Sequence, residues 1–263
     1  MSVAAPTDSR ELTPPTVGVS AGRRSLAGYL VRPILVVVTC AAIAVVLAVT
    51  PMDSLEARAL ALPNLLSAVW EHIQLTFAST VLVVLIAIPL GILFSRRRLR
   101  VIRPPLIGLL NLGQAVPTIG VLVLLAVGFA FLGFGAAIIG LVIYAIIPVM
   151  LNTIVGLQQV DPAVLESGRG MGLSARQVLF GIELPLSVPI ILAGVRTALV
   201  INVGTATLAS YINAGGLGRI LVAGMSTNRL LVQIISAVLT AVLALLIDYL
   251  AGVAEDLLRP AGL

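Results

Sequence analysis

The chain has 263 residues, 59% hydrophobic and only 10% charged, with a net charge of +5 and a mean hydropathy of +1.15. Soluble domains carry about 25% charged residues, so this composition excludes a soluble globular protein and describes a polytopic membrane protein. All sixteen basic residues are arginine, and without lysine the polypeptide has neither a Walker A phosphate loop nor a Schiff-base amine.

Residues 1–32 are rich in Ser, Thr, Pro and Gly and are predicted to be a disordered tail. The body, 33–259, is predicted to be all-α. Six apolar spans are expected at 33–50, 73–95, 105–132, 136–157, 186–210 and 231–251, each near or above the ~20 residues that cross a hydrocarbon core. A cleaved signal peptide over 23–50 fits less well, because the apolar run and the basic segment before it are both long for one. Cys40 is the only cysteine, so no intrachain disulfide can form.

Trp70, Glu71 and His72 precede the second span, and His72 is the only histidine. A metal site needs several ligands and a Ser–His triad needs a partnered acid. His72 therefore reads as an interfacial anchor, and no catalytic residue and no metal site are expected. In the third span, Pro117 and several glycines predict a break.

Polar residues recur within the spans, namely Asn111, Gln114, Asn152, Thr153, Asn202, Thr205 and Thr207. In a bilayer such groups face protein or water. Two readings stand. Gln114, Asn152, Asn202, Thr205 and Thr207 line a polar translocation path, or they form interhelical hydrogen bonds worth about 0.6–2 kcal/mol each. Only Arg196 and Asp248 carry charge inside the predicted spans. Arg196 is expected to snorkel or pair near one membrane face, with Asp248 at comparable depth as its partner.

Between the fourth and fifth spans lies a polar, glycine-rich segment, 161–185, far longer than a simple turn requires. Asp161 can cap a short helix with Pro162 at its first position. Gly168, Gly170 and Gly172 are expected to interrupt that helix. Ser174 and Gln177 read as a capping box for a second helix running to Leu184-Pro185. Two short helices around a glycine hinge suggest a docking element. Beyond the fifth span, Gly215, Gly216 and Gly218 read as a turn, a gate or a receptor contact.

Arginine placement orients the chain. Twelve arginines fall on one face, in the tail, in the 96–103 cluster, in the 161–185 segment and at Arg259, against Arg58, Arg219 and Arg229 on the other. The first face is predicted to be cytoplasmic, with both termini on it. This rule accounts for the positive balance, and no nucleic-acid partner is expected.

The spacing Glu166, Gly172 and Ile182-Glu183-Leu184-Pro185 resembles the EAA loop of binding-protein-dependent ABC importer permeases, with Ser167-Gly168 standing where that family has two alanines. Gln114-Ala115-Val116-Pro117-Thr118, Asn152-Thr153, Gly194-Val195-Arg196-Thr197-Ala198 and 212–218 are similar to the osmoprotectant branch of the same permeases. The resemblance implies the type I importer permease fold in a bacterial cell membrane. It implies that cytoplasmic ATPase subunits dock on the loop through Glu166, Ser167, Gly168, Gly172, Ile182, Leu184 and Pro185. It further implies a second permease chain, an extracytoplasmic binding protein, and ATP and magnesium held by the ATPase with no cofactor in this chain. The expected solutes are glycine betaine, choline, carnitine or proline betaine. An importer for amino acids or another small solute is the near alternative. An ATP-independent channel or carrier is the distant one, and it leaves the docking loop unexplained. Only 4% of the residues are aromatic, too few for a cation–π cage, so selectivity is expected to reside in the delivery protein.

Overall fold

The computed structural model describes residues 26–99 and 101–258. Most of the expected tail, with Arg10, Arg23 and Arg24, lies outside them, as do Arg100 and Arg259. The described part of that tail is helical, because α1 runs over Leu26–Val49 and begins before the predicted boundary at 33. Five helices are long and apolar enough to cross a membrane, or six if a bent pair counts as one span. They are α1, α3 (Leu62–Ser95), α6 (Phe134–Gln159), the helix that includes α9 (Leu184–Ala206), and α11 (Leu230–Leu258). The sixth is α4 (Arg103–Gln114) followed by α5 (Thr118–Val123), which runs on as a π turn to Gly128, with a bend of 83° between the two parts. Short helices α2 (Ser54–Ala59) and α10 (Leu217–Ser226) lie at one end of the bundle. At the other end are α7 (Pro162–Gly170) and α8 (Ala175–Val178).

The bend falls where Pro117 removes a backbone donor. A carbonyl freed in hydrocarbon would cost several kcal/mol, so ~2–7 if unpaired. Tyr144 of α6 meets this demand. Its hydroxyl donates to the carbonyl of Val116, while Gln114 Nε2 donates to the Tyr144 carbonyl at 3.4 Å. The break is thereby fastened to the middle of α6.

Helix α6 is the hub, with α3 on one side and α9 on the other. Small residues set both spacings. A Cβ on Gly91 would stand 2.5 Å from Thr153 Cβ, and one on Gly194 would stand 2.7 Å from Asn152 Cβ. The adjacent polar residues Asn152 and Thr153 bond back to their own helix, to Pro148 O at 2.8 Å and Val149 O at 2.7 Å. They can face close-packed neighbours without leaving a donor bare.

Helix α3 starts at Leu62, well before the predicted 73, and this changes the reading of His72. It is not an interfacial anchor but a fully buried side chain. Nδ1 accepts from Leu217 N at 3.3 Å, so the ring proton sits on Nε2 and is donated to Val203 O at 2.9 Å. One ring joins α3, α9 and the start of α10. Glu71 Oε2 accepts from Gly216 N at 2.8 Å on the same turn. Gly215 (φ +85°) and Gly216 (φ +78°) occupy the left-handed region there, and Cβ atoms would press on Glu71 and His72.

Candidate functional site: the 161–185 segment and the buried ion pairs

The Asp161 carboxylate accepts from Ala163 N at 2.8 Å and starts α7, as the Asp-Pro spacing predicts. The predicted interruption at three glycines is wrong in detail: α7 runs through Gly168 and Gly170, and only Gly172 turns the chain. Leu173 N bonds Gly168 O and Gly172 N bonds Arg169 O, with Gly172 at φ +85°. This is a Schellman closure with glycine at the left-handed position. Nothing lies within 4 Å of a Cβ built there, so conformation, not space, demands the glycine. Gly168 is the reverse case. Its Cβ would meet Ile182 Cδ1 at 2.7 Å, with Leu173 and Val178 at 3.6 and 3.7 Å. These side chains form the apolar joint between α7 and the helix that follows.

The two sites should respond differently. Gly172→Val is expected to destabilise the segment by about 1–2 kcal/mol, and Gly172→Asn by much less, since asparagine tolerates the left-handed region. Gly168→Ala should be near neutral, because a flexible Ile182 terminus yields and alanine improves helix propensity by up to ~1 kcal/mol. Thermal unfolding of the purified variants reads all three. A Gly172→Asn loss as large as that for valine would contradict the conformational reading.

Ser174 and Gln177 form the predicted capping box, with Gln177 N to Ser174 Oγ at 3.4 Å and Ser174 N to Gln177 Oε1 at 2.8 Å. The helix so begun does not stop at Leu184-Pro185. It passes through a π turn, Leu179–Glu183, in which Leu184 N bonds Leu179 O, and continues as α9. The wider turn absorbs the donor that Pro185 lacks. The 161–185 segment is thus continuous with a membrane span. Leu184 and Pro185 are half-buried in its first turn.

Glu166 and Ser167 are exposed on α7, with Ser167 Oγ donating to Ala163 O at 2.8 Å. Glu166 and Arg169 face a cleft of about 560 Å³ whose other wall includes Arg96, Arg103 and Glu183. Glu183 is 5% exposed and accepts a two-pronged bond from Arg96, at 2.7 Å from Nη2 and 3.3 Å from Nη1. Arg103 Nε and Nη2 donate to Phe94 O and Ser95 O at 2.7 and 3.0 Å, capping carbonyls that the end of α3 leaves open. Arg96 and Arg103 are therefore structural ties as well as topology signals. Glu183 is the one charge between Arg176 and Arg196, and no local pattern in the sequence points to its role. Its partner lies 87 positions away. Met171 (74% exposed) and Phe180 (66%) are apolar groups on the segment's surface, a placement that no spacing in the sequence signals.

Arg196 and Asp248 meet, Nε to Oδ1 at 2.5 Å and Nη2 to Oδ2 at 2.8 Å. Arg32 of α1 reaches the same carboxylate at 2.5 Å, and Glu255 lies 3.6 Å from Arg196. Four charges thus link α1, α9 and α11.

The polar path candidates are not gathered in one lining within the chain. Gln114 is exposed on α4, and Asn152 is half-buried beside Gly194. Asn202 is fully buried, with Nδ2 donating to Thr80 Oγ1 at 2.9 Å. Thr205 Oγ1 donates to Ile201 O at 2.8 Å. The Thr207 hydroxyl is buried without a partner among the described residues.

The family described as "Binding-protein-dependent transport system inner membrane component" matches residues 87–260. The choline transport system permease protein OpuBB of Bacillus subtilis (strain 168) is 38% identical over 202 residues, covering 76% of this chain and 91% of that protein. The carnitine transport permease protein OpuCB of Listeria monocytogenes is 36% identical over 202 residues, covering 76% and 90%. An inward-facing structure of the MetNI methionine ABC transporter superposes with a TM-score of 0.67, covering 80% of this chain and 100% of that one. At 22% identity it shows the fold alone. The chain belongs to the binding-protein-dependent inner membrane components and is the membrane-spanning permease subunit of an ABC importer, a multi-pass transport protein whose ATPase is a separate subunit.

Proposed function

We propose that this permease forms the import path for a small osmoprotectant such as glycine betaine, choline or carnitine. The observation that carries this reading is the agreement of its relatives, at 32–38% identity, on choline, carnitine or osmoprotectant transport in their names. In this reading the end bearing Arg96, Arg103 and the 161–185 segment is cytoplasmic, and the α2 and α10 end faces outward. Two permease chains, identical or not, enclose the path, and two ATPases holding ATP and magnesium seat on the 161–185 segments. An extracytoplasmic binding protein delivers solute and sets the affinity. Closure of the ATPases displaces α7 and α8. Because α8 continues into α9, and Glu183 is tied to Arg96 of the α3–α4 turn, the displacement moves α9 and the end of α3 together. Exposed Gln114, on the broken span, is the path candidate most available to solute, and Asn202 acts through its bond to α3.

Proteoliposomes carrying the permease with its ATPase test this. Saturable uptake of labelled glycine betaine, choline or carnitine is expected only with ATP and the binding protein present. Uptake without the ATPase would mean an autonomous carrier. Uptake competed by methionine but not by betaines would move the chain to amino-acid import.

A further inference from the structure

Between α4 and α5 the broken span bends by 83°, and hydrogen-bond acceptors gather at the bend. We propose that the bend meets the ammonium group of the passing solute and holds it by neutral oxygens alone. The inference rests on the osmoprotectant reading given above and names what one part of the path recognises.

The depth of the bend follows from the length of α4. Its 12 residues rise about 18 Å, which is some half of a ~30 Å hydrocarbon core. Residues 111–117 are all exposed. Irregular backbone at this depth cannot face lipid and must line water or protein. Two acceptors there are free. Ala115 O accepts no hydrogen bond among the described residues. Gln114 gives its Nε2 to Tyr144 O at 3.4 Å, so Oε1 is the end of the amide left without a partner among them. That contact and the Tyr144 hydroxyl on Val116 O fix the bend against α6 and hold both acceptors in place. Asn111, three residues before Gln114 on the same face of α4, is exposed as well.

The charge pattern selects a cation. The C-terminal end of a helix carries a partial negative charge of about half a unit, and no basic residue stands in the last turn of α4 to offset it. No charged residue occurs from 104 to 160, so neither the bend nor α6 behind it carries a full charge. A quaternary ammonium has no N–H and asks for no particular acceptor geometry. Carbonyl oxygens can replace part of the water around such a cation. They hold it more weakly than a carboxylate would, and a path needs sites that release as readily as they bind. The scarcity of aromatic residues, which excludes a cation–π cage, leaves this means of stabilisation open. The competing arrangement is a second permease chain packed over the bend, and the test separates the two.

The test uses the intact permease–ATPase complex in nanodiscs. Gln114→Cys is made on a Cys40→Ser background, and modification of the permease is followed by its mass. Two methanethiosulfonates are compared, one carrying a trimethylammonium group and one a sulfonate, each corrected for its rate with a free thiol. The trimethylammonium reagent is expected to react about tenfold faster or more. Tetramethylammonium chloride should slow it where equal sodium chloride does not. In uptake with saturating binding protein, Gln114→Lys should lower the maximal choline rate about tenfold or more, while Gln114→Asn stays within about threefold. If Gln114→Lys fails to assemble, the reagent ratio decides. Equal reagent rates overturn the proposal, as does a thiol that neither reagent reaches because the second permease chain covers it. So does a choline rate in Gln114→Lys equal to the wild type. Those failures leave wild-type betaine uptake, and with it the functional reading, intact. Uptake of methionine but not of betaines, with the cation preference kept, defeats the functional reading instead and leaves the bend as a site for the ammonium group of an amino acid.

Discussion

Glu183→Gln and Arg96→Ala are both expected to depress coupled uptake severely, with Arg96→Ala the more damaging to stability. Glu183 is buried at the π turn that joins the 161–185 segment to α9, and Arg96 grips both its oxygens. Removing Arg96 leaves a desolvated carboxylate. The penalty for breaking a fully buried pair is about 3–5 kcal/mol. Arg96 is more than a third exposed, so solvent screening reduces this to about 2–3 kcal/mol. Glu183→Gln removes the buried charge and keeps a hydrogen-bonding group, and Arg96 can turn to water, so about 1–2 kcal/mol is expected. Transport should fall further than stability in both. The pair ties the α3–α4 turn to the segment on which the ATPase is proposed to seat, and without it the segment can shift while α3 stays. ATP hydrolysis and solute uptake, measured in the same proteoliposomes, should therefore separate, with several ATP hydrolysed per solute gained. The double variant Arg96→Ala/Glu183→Gln should be better than the sum of the single effects. Strictly additive losses, or uptake that tracks hydrolysis as in the wild type, would sink the coupling role.

Local chemistry made part of this site readable from the chain alone. Asp161-Pro162, Ser174 with Gln177, and Pro117 each act within a few residues, through a cap or a missing donor. Their consequences appear at those positions in the structure. The failures share a different cause. The predicted start of the second span at 73 falls late because Glu71 and His72 interrupt the apolar run. Their acceptable burial depends on Gly216, Leu217 and Val203, 131 to 145 positions away. The role of Glu183 is not legible in the sequence because its partner, Arg96, lies 87 positions back. Pro185 marks a helix end in the sequence, whereas a π turn lets α8 continue past it into α9. At Gly168, where the resembling family has alanine, the close neighbour is the flexible end of Ile182, which only the folded structure reveals and which can yield to a methyl group. Periodicity and caps report the near neighbours of a residue. Burial of a charge is decided by whatever the fold brings to it.

Asp248→Ala is expected to be the most destructive single change in the membrane body. Asp248 accepts from Arg196 at 2.5 and 2.8 Å and from Arg32 at 2.5 Å, and it and Arg196 are each about 21% exposed. Truncation leaves two guanidinium groups facing one another across α1, α9 and α11 with one carboxylate, Glu255, still 3.6 Å from Arg196. Removing one partner of such a pair costs about 3–5 kcal/mol, a large share of a typical ~5–15 kcal/mol stability. Arg32 can relieve part of this by extending toward the membrane surface. Arg196, at 21% exposed against 38% for Arg32, has less freedom to do so. Helix α1 should suffer as well. It packs mainly on α11, and most of its surface is exposed, so the Arg32–Asp248 contact and the Tyr29–Asp256 bond at 2.6 Å together help fix its position. Asp248→Ala should give a sharply lower yield of monodisperse protein and faster proteolysis of α1. Asp248→Asn should lie between it and the wild type. The informative comparison is the apolar double variant Arg196→Leu/Asp248→Leu. It removes the stranded charge along with its partner, and apolar replacement of a buried ion pair is often neutral or favourable. It should recover much of the yield that Asp248→Leu loses. If the double variant is as poor as the single one, the four-charge network is needed for its own bonds and not merely for its neutrality. If Asp248→Ala matches the wild type in yield and unfolding temperature, the network contributes nothing to holding α1, α9 and α11 together.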